Sequence, residues 1–221
     1  MELEVYIYSI LLRSGFNESV AILLFENYNH ANGYAILAEK EEKEGNDAKA
    51  LELVEKGIAL DNKSIWLMRI KVNLIKKQNP EDYDEIYDTL IAYQRRRQQV
   101  FDLKLDLELA RLQFIRGEWA VSRISFRELG RKSKGYRQRL IPLETDRWIA
   151  YGEPKRLLGV IVNRPTFEEW GALRSNKPVI PHLIRVRYQD MKFGGYLKDQ
   201  RVSFEIVFNM LGPQASNVKP R

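Results

Sequence analysis

Four runs near the C-terminal end decide the fold class: Arg-Leu-Leu-Gly-Val-Ile-Val at 156–162, Glu-Trp-Gly-Ala-Leu at 169–173, Arg-Val-Ser-Phe-Glu-Ile-Val-Phe at 201–208 and Gly-Pro-Gln-Ala-Ser-Asn-Val-Lys-Pro at 212–220. They are short, rich in β-branched and aromatic residues, and punctuated by Gly, Pro and Asn, the pattern of small antiparallel strands joined by turns. Before about residue 150 the apolar residues recur at helical spacing instead. The sequence therefore predicts two domains, an all-α domain over 1–150 and a small all-β domain over 151–221. Tyr151-Gly152-Glu153-Pro154 marks the change, since Gly and Pro together interrupt a helix.

At 221 residues with 44% apolar content, the chain is long enough for two cores. The absence of cysteine rules out disulfides, thiolate metal sites and cysteine nucleophiles. Met1-Glu2-Leu3-Glu4-Val5-Tyr6 has neither the basic flank nor the cleavage site of a secretory signal. No apolar run approaches the roughly 18 residues of a membrane span, so a cytoplasmic location without membrane contact is expected. The net charge of +6 is unevenly placed: residues 1–150 carry 24 basic and 24 acidic groups, and 151–221 carry 12 and 6. Within the helical part, 1–88 hold 10 and 17, and 89–150 hold 14 and 7. An acidic front followed by a basic back is the footprint expected of a nucleic-acid binder, although an uneven solvated surface gives the same counts.

Residues 3–13 and the stretch from Asn17 or Ser19 to Phe25 predict a helical hairpin turning at Gly15. Over 31–61, Tyr34, Leu37 and Ala38 fall on one helix, Gly45-Asn46 makes a turn, and Ala50, Leu51, Val54, Gly57, Ile58 and Leu60 fall on the next. The small residues Ala38, Ala50 and Gly57 let paired helices approach closely. This resembles a tetratricopeptide repeat, whose period is about 34 residues, and a turn one period on falls at Gln78-Asn79-Pro80. A second unit would use Trp66, Ile70, Val72, Leu74 and Ile75, then Tyr83, Ile86, Tyr87 and Leu90. A third would use Leu109, Ala110 and Leu112, turn at Gly117, and continue with Ile124, Phe126 and Leu129, with Ser122 where the repeat usually has Ala. A plain helical bundle is the alternative. Asp146–Ala150 is expected as a last short helical piece.

The C-terminal 65 or so residues resemble a cold-shock domain, a five-stranded OB-fold barrel that binds single-stranded RNA or DNA. Leu197-Lys198-Asp199-Gln200-Arg201-Val202-Ser203-Phe204-Glu205 and Gly212-Pro213-Gln214-Ala215-Ser216-Asn217-Val218 follow the family's closing strands closely. Gly159 fits the first strand, Gly171 the centre of the first aromatic signature, and Val179-Ile180-Pro181-His182 the second. In this family aromatic side chains stack on successive bases and basic residues follow the phosphates. Here Val162, Asn163 and Arg164 stand where the first strand usually has Lys and two aromatics, and Glu168-Glu169-Trp170-Gly171-Ala172 keeps one aromatic. Ile180 and Leu183 replace the aromatics of the second signature.

The resemblance thus implies a reduced base-binding platform of Trp170 and His182, aided by Phe167 or Phe193, with Arg164, Arg174, Lys177, Arg185, Arg187 and Lys192 on phosphates. Outside that register Trp170 reads as a core residue and His182 as an ordinary hydrogen-bonded histidine. Glu168 and Glu169 would repel phosphate.

Arg95-Arg96-Arg97 and the Arg131–Arg139 run are basic patches that, sharing a face with the barrel, would extend a single-strand path or dock on structured RNA, and solvated helix ends account for them equally. Glu39, Glu41, Glu42 and Glu44 read as an exposed helix face. The two histidines, His30 and His182, have no metal-ligand spacing, and no phosphate loop or nucleophile elbow occurs. The expectation is a protein without catalytic site or cofactor, binding single-stranded RNA or DNA on the barrel and a protein on the helices. A protein-interaction scaffold, or a regulatory subunit whose barrel no longer binds nucleic acid, is the alternative.

Overall fold

The computed structural model describes residues 30–96, 101–135, 148–150, 153–166, 169–176, 180, 183–191 and 196–221. The expected hairpin over 3–25, Arg97 and residues 136–139 of the basic run lie outside them. Six helices stand among the described residues: α1 (Ala31–Glu44), α2 (Asp47–Leu60), α3 (Ile65–Gln78), α4 (Tyr83–Arg96), α5 (Leu103–Ile115) and α6 (Trp119–Lys132). They come as three pairs, and α3 starts 34 residues after α1.

Local chemistry sets the helix ends. His30 Nδ1 accepts the Asn32 N–H at 3.2 Å, so this histidine is an N-cap. Gly45 ends α1 in the left-handed region at φ 84°, and Gly117 repeats that conformation at φ 82° between α5 and α6. Ser64 caps α3 by accepting the Leu67 N–H at 3.4 Å. Close packing follows from small residues: Ala35, Ala38 and Ala50 are fully buried, and a Cβ at Gly57 would lie 2.8 Å from the Leu67 methyls. In the third pair Ser122 is buried in the place of an alanine, and its hydroxyl donates to the Ala110 carbonyl at 2.9 Å.

Some expected core positions differ. Ile124 is 55% exposed, because the buried stripe of α6 runs through Ser122, Phe126 and Leu129. Trp66 lies at the surface, its indole N–H donating to Glu39. Glu41 is buried rather than solvated, since Asn46 and Lys49 both donate to its carboxylate. Residues 149–150, expected to be helical, form β1 (Ile149–Ala150), which pairs antiparallel with β2 (Glu153–Pro154). The preceding residue, Trp148, has its backbone taken by sheet-type bonds, donating to the Ile206 carbonyl at 3.0 Å and accepting from Lys155 N–H at 2.7 Å.

Five strands close into a barrel: β3 (Arg156–Asn163), β4 (Gly171–Ser175), β5 (Ile184–Val186), β6 (Arg201–Asn209) and β7 (Gly212–Pro220), in the order β3-β4-β5-β7-β6. All pairings are antiparallel except β5 with β7, giving a mixed barrel of OB-like size. Two glycines permit it. A Cβ on Gly159 would lie 2.4 Å from the Arg174 carbonyl oxygen, and one on Gly171 would lie 2.6 Å from that of Asn163. The closing strands are tied by a polar knot in which Glu205, 5% exposed, accepts from Arg156 at 2.7 Å and from the Asn217 amide. Asn217 holds φ at 48°, which asparagine tolerates better than most residues.

By packing, the chain forms two compact units, Met1–Asp102 and Leu103–Arg221, so the α5–α6 pair belongs with the barrel. The far half of β6 shows why: Glu205 to Asn209 are all buried, a continuous run expected of a strand covered on both faces. Phe208 stacks on Phe126 of α6 at 6.2 Å between ring centroids and meets Phe114 of α5 edge-on at 5.4 Å. Phe114 also meets Trp148 at 6.1 Å, so aromatic packing ties the helix pair to the sheet. Gly130 brings α6 against Leu211, where a Cβ would come within 3.0 Å.

Candidate functional site

Along β4 and β5 buried and exposed residues alternate, so one side of each strand faces the barrel interior and the other faces outward. Gly171, Leu173, Ile184 and Val186 point in; Ala172, Arg174 and Arg185 point out. The register pairs Ala172 with Arg185 and Gly171 with Val186, which sets Trp170 beside Arg187 at the next step. Trp170 is 38% exposed, and the Arg187 guanidinium carbon lies 5.8 Å from its ring centroid. On the adjoining strand Val160 stands opposite Arg174. Among the described residues, the outward face thus sets the Trp170 ring among three arginines.

The ring and its arginine are held from beneath. Arg187 Nε donates to Asp190 at 3.1 Å, Asp190 accepts from the Gln214 amide at 2.7 Å, and Gln214 accepts from Asn209 at 3.2 Å. Gln214 and Asn209 are buried, so the chain of bonds runs from the barrel wall to the surface and fixes the guanidinium before any ligand arrives. On the other side of Trp170, Thr166 and Glu169 lock the β3–β4 connection: Thr166 N–H donates to the Glu169 carbonyl, and Glu169 N–H donates to the Thr166 hydroxyl, both at 3.0 Å. Glu169, the residue before Trp170, is exposed.

The structure therefore brings together Trp170, Arg174, Arg185 and Arg187. Arg164 is exposed at the end of β3, one residue before Pro165, whose ring abuts Gly171. His182, Lys177, Lys192, Phe193 and Phe167 lie outside the described residues. Ile180 is buried and Leu183 exposed, so only the second of these apolar replacements stands at the surface.

Two further arginines, Arg123 and Arg127 of α6, stand exposed near Arg185, and the sequence reading does not single them out. Their i, i+4 spacing on one side of an amphipathic helix is a readable signal. The start of the Arg131 run is less free than its composition implies. Arg131 hydrogen-bonds Glu128 at 2.7 Å and Lys132 approaches it at 3.3 Å, and these cations hold the Glu128 carboxyl down at about 2.

Charge follows the packing units more closely than the helix-to-strand change. Residues 1–102 hold 13 basic and 18 acidic groups, whereas 103–221 hold 23 and 12. The whole positive excess lies with the barrel and its helix pair. Among the described residues no group of three or more His, Asp or Glu side chains is placed to hold a metal ion, and no helix is long and apolar enough to cross a membrane. No protein-family model matches the sequence, and no curated protein is significantly similar to it.

Proposed function

We propose that this chain is a nucleic-acid-binding adaptor: single-stranded RNA or DNA lies on the β4–β5 face of its cold-shock-like barrel, and a protein partner is held by its tetratricopeptide-like helix pairs. The observation that carries the reading is Trp170, exposed on the outward face with Arg187 braced against it and Arg174 and Arg185 alongside. An exposed ring stacks on any base, at about 1–3 kcal/mol per base, and flanking arginines neutralise the phosphates on either side. Stacking on an aromatic ring is tolerant of base identity, so binding is weakly selective for sequence. The excess of acidic groups over residues 1–102 disfavours nucleic acid there and leaves α1–α4 for a protein.

A second reading, a scaffold whose barrel face binds protein, is favoured by Ala172 at mid-face and by Leu158 and Leu183, which are 40% and 53% exposed. Equilibrium titration of labelled mixed-sequence single strands, RNA and DNA separately, over a range of salt decides between them. The adaptor predicts affinity falling with salt at a logarithmic slope of about −0.7 per phosphate neutralised. No binding of either strand at low salt would overturn it in favour of the scaffold.

A further inference from the structure

The unit that carries the barrel has a second concave feature, between α6 and the barrel, with a volume of about 510 Å³. Trp119 and Phe126 of the helix and Leu183 and Pro213 of the barrel give it apolar walls. Arg123, Arg127 and Arg185 also line it, and no carboxylate does among the described residues. None of these three arginines makes an ion pair among the described residues, in contrast to Arg131, which is taken by Glu128. Three guanidiniums with no ion pair among the described residues, set around an apolar floor, fit a ligand that is both flat and anionic.

Arg185 belongs to both features. It lines the cleft and also stands on the outward side of β5, two residues from Arg187, which keeps the extended backbone of the strand at φ −93°, ψ 155°. In extended chain two residues span roughly 7 Å, close to the spacing of successive phosphates in a stretched single strand. We infer that the cleft is the continuation of the single-strand path: a nucleotide next to the one on Trp170 turns its base into the apolar floor by Trp119 and Phe126, and Arg123, Arg127 and Arg185 hold the phosphates around it. This rests on the reading of the β4–β5 face as a nucleic-acid surface, and adds a helix-borne half to it. Unstacked bases in single strands are free to enter such a cleft, and a duplex cannot supply one without unpairing.

The test compares wild type, Trp170→Ala, the double variant Arg123→Gln/Arg127→Gln, and Leu183→Glu in titrations with a labelled single strand at two salt concentrations. Arg123, Arg127 and Leu183 are exposed, so the variants are expected to keep the wild-type unfolding midpoint. Losing two phosphate contacts flattens the logarithmic salt slope by about 1.4, so the double variant loses about sevenfold less affinity than wild type between about 50 and 200 mM salt. Leu183→Glu, which places a carboxylate at the cleft mouth, is expected to weaken binding at least tenfold in low salt while leaving the response to Trp170→Ala in place. If Trp170→Ala weakens binding but the double variant keeps the wild-type slope and Leu183→Glu the wild-type affinity, the cleft is not on the path and its occupant is another ligand, such as an acidic peptide. If wild type does not bind at all, both the cleft and the face are overturned together.

Discussion

The Arg187 guanidinium lies against the exposed ring of Trp170 at 5.8 Å, and it is fixed there by Asp190, itself anchored on the buried Gln214 amide. The consequence is a surface ring whose neighbour is already charged, oriented and partly desolvated. On the proposed reading, a base stacking on the open side of Trp170 would not have to order that guanidinium first. Arg185 and Arg174 stand on the same outward side of the sheet, so the proposed phosphate contacts would come from rigid strands rather than from loops.

The barrel depends on its glycines for strand approach. Gly159→Ala places a methyl 2.4 Å from the Arg174 carbonyl and 2.9 Å from the Phe204 ring, and neither a strand backbone nor a buried ring yields easily. The expected loss is about 1–3 kcal/mol or more, read as a drop in the denaturant midpoint.

Docking of the helix pair on the barrel rests on Phe208. Phe208→Ala removes the stacking on Phe126 and the edge contact with Phe114 and leaves a void in a fully buried position. The expected cost is about 3–5 kcal/mol, measurable by chemical denaturation, with loss of the near-ultraviolet signal of Trp119 and Trp148, both of which pack on Phe114.

Glu128 contributes stability that depends on pH. Its carboxyl is held at about 2 against an ordinary value of 4.5, chiefly by the hydrogen bond from Arg131. Because the folded value is the lower one, the contribution is present in full above the ordinary value and disappears as pH falls from 4.5 towards 2. Glu128→Gln is expected to leave a shallower fall of unfolding midpoint with acid than wild type over that window, with the two proteins converging at its lower end.

What the sequence discloses and what it withholds divide along physical lines. Turn positions were readable because Gly45 and Gly117 take a left-handed conformation that few other residues adopt. Gly159 and Gly171 were singled out by the resemblance to the cold-shock family, and the structure gives each a physical reason of its own, a carbonyl oxygen within 2.4 to 2.6 Å of where a Cβ would lie. Packing of α5–α6 on the barrel was not readable, because Phe114 and Phe126 serve a helix–helix core and a helix–sheet contact with the same spacing. Trp148-Ile149-Ala150 misled for a related reason: bulky residues beside Ala suit a helix end as well as a strand, and only the backbone bond from Trp148 to Ile206 decides. On the candidate face, Trp170 and the arginines were proposed singly. Their juxtaposition needed the pairing of β4 with β5, which no local pattern specifies across the residues between Ser175 and Ile184.

The β4–β5 face is tested most directly by fluorescence anisotropy of a labelled single strand with wild type and Trp170→Ala at two salt concentrations. Trp170 is exposed one residue before β4, so its removal is expected to leave the fold intact. The expected result is salt-sensitive binding by both proteins with equal slopes and a loss of about 1–3 kcal/mol in the variant, since stacking is removed and phosphate contacts are kept. Equal affinity of wild type and Trp170→Ala would contradict the account and place any nucleic-acid contact away from this ring.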